Sequence, residues 1–294
     1  MAVSTRRGVL AGLASAGAAL ALAGPLAQPL GAAPLARVRE LGVLRVGLYA
    51  DNRPWSWSDG GRVAGIDADI ASAIAKALDV RADLALFAAD EDLSDDLRNV
   101  IWRGGLLGFQ RCDLMLHVPF DMQFAAKEDR AVFLAPYARE EFTAVCSSRT
   151  KDCDMPPQRF VGSKVGAELD SIPDFYLTGG FGGILRSDVV HFPTGYEAAA
   201  AVHEGAIEMA VASRAQIEAA LHDRPGSGAK LRKSPLPLMA SDGWDIGMAV
   251  REDSRTLAAA VDDIVAHMIE NRQMAALFGK YGVTWQAAAA TRTI

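Results

Sequence analysis

The 294-residue sequence predicts an α/β protein made of two successive units. Three observations point there. Short apolar runs without helical period, such as Leu44-Arg45-Val46-Gly47-Leu48 and Leu114-Met115-Leu116, have the pattern of buried strands. Ile66, Ile70, Ile74 and Leu78 recur every four residues, the spacing of an amphipathic helix. The alternation then starts again at position 142, so a second, smaller α/β unit follows the first.

Taken in order, residues 44–48 form the first strand. A polar loop follows, with Asn52, Pro54, Trp55, Asp59, Gly60 and Gly61. The helix through Ile66 to Leu78 carries Asp67 and Asp69 near its N-terminus, where the helix dipole favours negative charge. Residues 80–87 are expected as a strand, 93–102 as a helix and 114–118 as a third buried strand, ended by Pro119. In the second unit, strands are expected at 142–146, 163–167, 189–192 and 208–212, with helices at 170–177, 195–203 and 215–221. A strand at 246–250 and helices at 257–270 and 273–278 close the chain. Such alternation implies parallel sheets.

The first 33 residues have the layout of an export signal: Arg6-Arg7, a weakly apolar Ala/Gly-rich middle, then small residues. Ser4-Thr5-Arg6-Arg7 resembles a twin-arginine signal; an ordinary secretory signal with a basic end is the alternative. After the leader no apolar stretch is long enough to cross a bilayer, so no stable membrane insertion is expected once the signal is removed. The chain has 30 basic and 36 acidic residues, and both leader charges are basic. Without a basic aromatic stripe, nucleic acid is excluded as a partner. Cys146 and Cys153 flank a short polar loop and are expected to pair in an oxidising compartment, leaving Cys112 as a buried free thiol. The five histidines are scattered and no zinc-type spacing occurs, so no metal and no cofactor are assigned.

Several motifs fall in a recognisable order: Leu44-Arg45-Val46-Gly47, Pro54-Trp55-Ser56-Trp57, Gly65-Ile66-Asp67-Ala68-Asp69-Ile70, Cys112-Asp113-Leu114-Met115, Ala135-Pro136-Tyr137, Lys164-Val165-Gly166, Gly247-Met248-Ala249-Val250-Arg251 and Leu277-Phe278-Gly279-Lys280-Tyr281-Gly282. Together they resemble the family-3 bacterial extracellular solute-binding proteins over nearly all of the mature chain. The resemblance implies a periplasmic binding protein-like α/β fold: two α/β lobes joined by a two-segment hinge that closes on a ligand. It places a signal peptide at 1–33, lobe 1 at 43–140 plus 243–294, and lobe 2 at 141–242. A narrower likeness runs through Asp90-Glu91-Asp92, Asp95-Asp96-Leu97-Arg98-Asn99, Trp102-Arg103-Gly104 and His117-Val118-Pro119-Phe120-Asp121. It is similar to the MoxJ/XoxJ branch, periplasmic relatives associated with quinoprotein methanol dehydrogenases. That likeness implies a periplasmic, non-enzymatic accessory protein with a PQQ-dependent methanol dehydrogenase as partner. The alternative is the receptor of an ABC importer for a small non-amino-acid ligand.

In open α/β sheets, ligands sit at the carboxyl ends of strands. The cleft residues expected on that basis are Asn52, Arg53, Trp55, Trp57, His117 and Asp121 from the first unit. From the second come Asp170, Ser171, Thr194, Ser213 and Arg214. One of the two tryptophans is expected to face the core, the other to stack on a ligand. The helix after Leu169 offers free backbone N–H groups, unless Asp170 caps it. Amino-acid binders of the family hold the ligand carboxylate with an arginine about nine residues before the Pro-Tyr, and its ammonium with an aspartate at the position of Ser213. Here Arg130 is only six residues before Pro136, and a serine replaces the aspartate. Lys230, Arg232 and Lys233 read as an exposed turn, Gly179-Gly180-Phe181-Gly182-Gly183 as a flexible loop, and Asp92, Asp95 and Asp96 as a solvated helix start.

Overall fold

A computed structural model describes residues 34–226 and 228–291. The export signal expected at 1–33 lies outside the described residues. The first lobe opens with α1 (Pro34–Leu41), β1 (Val43–Tyr49) and a hairpin of β2 (Trp57–Asp59) and β3 (Arg62–Ala64). It continues through α2 (Ile66–Ala77), β4 (Arg81–Phe87), α3 (Leu93–Leu97), β5 (Leu114–Pro119), α4 (Met122–Ala125) and β6 (Ala131–Glu140). The second lobe contains β7 (Phe142–Cys146), β8 (Val165–Glu168), α5 (Ile172–Gly179), β9 (Val189–Phe192), α6 (Gly195–His203), β10 (Met209–Ser213), α7 (Arg214–Asp223) and β11 (Lys230–Leu231). The chain returns to the first lobe with β12 (Trp244–Arg251), α8 (Arg255–Glu270) and α9 (Gln273–Gly279).

Each lobe is organised around one five-stranded sheet. The strand orders are β4-β1-β5-β12-β6 and β11-β7-β10-β8-β9. The chain therefore crosses between sheets twice, from β6 to β7 and from β11 to β12. Both sheets are mixed, which corrects the parallel expectation. β1 runs parallel to β4 and β5, but β12 is antiparallel to β5 and β6. The reason is topological: β6 leaves toward the crossing and β12 enters from it, so neighbours there must oppose. β10 is likewise antiparallel to β7 and parallel to β8.

Apolar periodicity decides the packing. Ile66, Ile70 and Ile74 on α2 lie against Leu44, Val46 and Leu48 of β1, all fully buried. The helix expected at 93–102 is a five-residue α3 that widens into a π-turn over Arg98–Trp102, with Arg103 N–H donating to Arg98 C=O at 2.8 Å. Asp92 caps α3 by accepting from Asp95 N–H. Asp96 is not solvated: it is buried and accepts from Tyr49 Oη at 2.8 Å and from Asp90 N–H at 2.8 Å. Burial raises its carboxyl above the ordinary range.

In lobe 2, Cys146 and Cys153 form the expected disulfide, and Cys112 is a buried free thiol. The basic turn is a different object from the one expected. Arg232 is buried, and its guanidinium donates to the carbonyls of Cys153, Asp154, Met155 and Ser234 at 2.8–3.1 Å. It grips the end of the disulfide loop while Lys230 and Lys233 stay exposed. The glycine-rich stretch is a tight turn in which Phe181 and Gly182 adopt left-handed backbone and Phe181 packs edge-on to Tyr176.

The C-terminal segment braces the crossings. Thr284 N–H donates to Glu218 of α7 at 2.6 Å, and Trp285 Nε1 donates to Tyr137 C=O of β6 at 2.8 Å. Asp245 of β12 accepts from the N–H groups of Ala289 and Ala290, both at 2.9 Å, and from Arg139 at 3.2 Å.

Candidate functional site: the interlobe cleft

The sheet of lobe 1 presents the ends of β1, β5 and β6 toward the crossings. Two irregularities shape that edge. In β5, Leu116 pairs with Met248 and Val118 with Gly247, so His117 is an extra residue and takes left-handed backbone (φ 62°). β6 bulges opposite the same glycine. Gly247 is required there, since a Cβ would lie 2.9 Å from Leu134 C=O. The two bulges turn His117 and Tyr137 onto one carboxylate. Asp67, fully buried at the start of α2, accepts from Tyr137 Oη at 2.7 Å, and His117 Nδ1 lies 3.1 Å from its other oxygen. Burial, with the Asp67 charge beside it, drives the Tyr137 hydroxyl well above its ordinary range.

Trp55 completes this cluster. It is 3% exposed, with its ring 4.6 Å from that of His117 and edge-on to Phe278. It is the core tryptophan of the pair. Trp57 faces outward and edge-on to Tyr281. The loop that carries Arg53 and Trp55 is closed by backbone bonds between Asn52 and Ser56.

Arg53 leaves this loop and crosses to lobe 2. Its guanidinium carbon lies 4.7 Å from the ring centroids of both Trp57 and Tyr196. It pairs with Asp223 at 2.7 Å. Tyr196 Oη donates to the same carboxylate oxygen at 2.6 Å and accepts from Arg224 at 2.9 Å. Neither Tyr196 nor Asp223 is marked by any motif. They meet only because the start of α6 packs beside the end of α7.

The remaining expected residues are mostly helix caps. Asp121 caps α4 through the N–H groups of Gln123 and Phe124. Ser171, not Asp170, caps α5; Asp170 is exposed with left-handed backbone, and its N–H donates to Asp174. Thr194 caps α6, and Ser213 caps α7 in a capping box with Gln216. The Ser213-x-x-Gln216 spacing was legible as such a box. Arg214 is engaged with Glu141 at the crossing and with Glu218. Arg130 lies at the opposite edge of the sheet, before β6, stacked over Trp102.

Two carboxylates occupy the lobe-2 helix starts. Glu168 accepts from Gly195 N–H at 3.0 Å, at the start of α6. Glu140, 4% exposed at the end of β6, accepts from Ala215 N–H at 3.3 Å, from Glu141 N–H and from the Ser213 hydroxyl. Burial outweighs these bonds and pushes its carboxyl up to about 7. The unfolded carboxyl titrates near its ordinary 4.5. Between those values the folded state binds the proton more tightly, so stability falls as pH rises through the window. A shift of that size corresponds to about 3 kcal/mol. Glu140→Gln, which mimics the protonated acid, should therefore match wild type below pH 4.5 and be more stable at pH 8, by urea melts. An offset independent of pH would contradict this.

Among the described residues, no group of three or more His, Cys, Asp or Glu could hold a metal ion. No helix among them is long and apolar enough to cross a membrane.

No protein-family model matches the sequence. No curated protein sequence matches it either. Solved structures do. An ancestral cationic amino-acid solute-binding protein superposes with TM-score 0.64 at 19% identity, covering 84% of this chain and 99% of that one. The chain has the periplasmic binding protein fold. An amino-acid ABC transporter substrate-binding protein from Streptococcus pneumoniae, bound to L-arginine, shares this fold with TM-score 0.58 at 18% identity, covering 83% and 96%. A histidine kinase sensor domain described as similar to periplasmic binding proteins matches with TM-score 0.56 at 19% identity, covering 83% and 97%. The periplasmic binding protein fold thus appears in these neighbours in a transporter component and in a sensor.

Proposed function

We propose that this chain is an exported, non-enzymatic accessory factor of a quinoprotein (PQQ) methanol dehydrogenase. It works in the periplasm by docking the dehydrogenase or handling its cofactor. In this reading residues 1–33 are removed as a signal, 43–140 with 243–294 form lobe 1, and 141–242 form lobe 2. One observation carries the departure from amino-acid capture: the cleft groups are engaged with one another. Glu168 and Glu140 sit on the N-termini of α6 and α7, where a ligand carboxylate would dock. Ser213 stands in the ammonium-anchor position as a helix cap. Removing one partner of a buried charge pair costs roughly 2–5 kcal/mol, and a hydroxyl does not restore it. The dehydrogenase is suggested by the MoxJ/XoxJ-like string between positions 90 and 121.

A second reading is the receptor of an ABC importer for a small non-amino-acid ligand; the solute-binding neighbours support its receptor part. Gene deletion separates the two. The accessory role predicts reduced quinoprotein methanol dehydrogenase activity in the periplasm, while the receptor role predicts loss of uptake of a solute.

A further inference from the structure

We infer that Arg53 is a tethered guanidinium ligand: it fills a site made by Trp57, Tyr196 and Asp223 and pins the two lobes together without any added ligand. This goes beyond the accessory reading and does not depend on the partner.

The site has the parts that a guanidinium needs. Two aromatic rings each have their centroid 4.7 Å from the Arg53 guanidinium carbon, and a carboxylate meets the guanidinium at 2.7 Å. Its lobe-2 half is assembled independently of Arg53. Arg224 donates to Tyr196 Oη, and Tyr196 in turn donates to Asp223 Oδ2, so ring and carboxylate are held in register by each other. Tyr196 is 6% exposed, which fixes its ring. The lobe-1 half is also braced, with Trp57 edge-on to Tyr281 and the loop closed between Asn52 and Ser56. Arg53 is thus carried by one lobe and received by the other, 170 residues away in sequence.

The tether matters as much as the contacts. A group held on a short loop is presented at an effective concentration in the millimolar range. A free guanidinium compound at micromolar concentration cannot displace it. The site is therefore occupied in the unliganded protein, and the bridged arrangement of the lobes needs no solute.

The test uses the full mature chain and small-angle scattering. Wild type should show one radius of gyration, insensitive to ethylguanidinium chloride at micromolar concentration. Arg53→Ala should shift to a larger radius, because the bridge between lobes is lost. Asp223→Asn should shift in the same direction, and its circular dichroism reports whether the fold is kept. Ethylguanidinium chloride, but not sodium chloride at equal ionic strength, should return Arg53→Ala toward the wild-type radius. Arg53→Lys keeps the charge without the planar fork and should fall between wild type and Arg53→Ala. An Arg53→Ala protein with the wild-type radius would overturn the inference. So would an expanded Arg53→Ala protein that ethylguanidinium leaves unchanged.

Discussion

Arg232→Met should lower the stability of the protein by about 3–5 kcal/mol, since hydrogen bonds from a charged donor are worth about 1.5–3 kcal/mol each and bonds sharing one guanidinium add less than independently. The side chain is 4% exposed and its donors go to the backbone carbonyls of Cys153, Asp154, Met155 and Ser234. Methionine fills much of the volume and satisfies none of those carbonyls. Asp154 accepts from the N–H groups of Lys233 and Ser234, so the same turn is held from the opposite direction. Loss of Arg232 should therefore free the loop between Cys146 and Cys153 while the disulfide still closes it. Hydrogen exchange should speed up at 147–156 and remain unchanged in α2 and α8. Arg232→Lys should recover only part of the loss, because one ammonium cannot reach carbonyls arranged for a planar fork. A midpoint shift of less than about 1 kcal/mol for Arg232→Met in urea would contradict this account.

The second large effect concerns Asp67→Ala, expected at about 3 kcal/mol. Two donors, Tyr137 Oη and His117 Nδ1, lose their acceptor, and the fully buried tyrosine bears most of the cost. The first turn of α2 also loses one of its two acidic residues, worth about 0.3–1 kcal/mol, while Asp69 remains. Since Asp67 and Tyr137 act as one unit, the double variant Asp67→Ala/Tyr137→Phe should be no less stable than Asp67→Ala alone. Removing the hydroxyl eliminates the buried donor that Asp67→Ala leaves without its acceptor. Urea melts of the three variants measure this directly. A double variant whose loss equals the sum of the two single losses would refute the coupling.

Much of the fold was legible because it rests on short-range patterns. The four-residue recurrence of isoleucines on α2 and the apolar runs of β1 and β5 suffice to find those elements. β6 escaped notice because Pro136 and the bulge near Ala135 break the alternation that marks a strand. The antiparallel entry of β12 depends on where the chain returns from, which no local window contains. The disulfide was readable from two cysteines around one polar loop. Arg232 was not, because its carbonyl partners carry no side-chain signature.

The cleft was legible only in part. Arg53 follows β1, Trp57 begins β2, His117 lies in β5 and Ser213 ends β10. Their partners Tyr196, Asp223, Asp67 and Glu140 emerge from the packing of α6 on α7 and from two bulges facing one glycine. Residue type alone also misjudged roles. Asp121, Ser171 and Thr194 lie near the cleft edge, but their oxygens are committed to helix N–H groups. A short polar residue after a strand serves equally well as a cap or as a ligand contact, and only the hydrogen-bond partner distinguishes them.

The proposed role in methanol oxidation, as opposed to solute uptake, has one decisive test. The most direct measurement is quinoprotein methanol dehydrogenase activity in periplasm from a strain lacking this gene, with solute uptake assayed in parallel. The account predicts reduced dehydrogenase activity with uptake intact, restored by an exported copy and not by one without residues 1–33. Normal methanol oxidation in the deletion strain, or restoration by the leaderless copy, would contradict it.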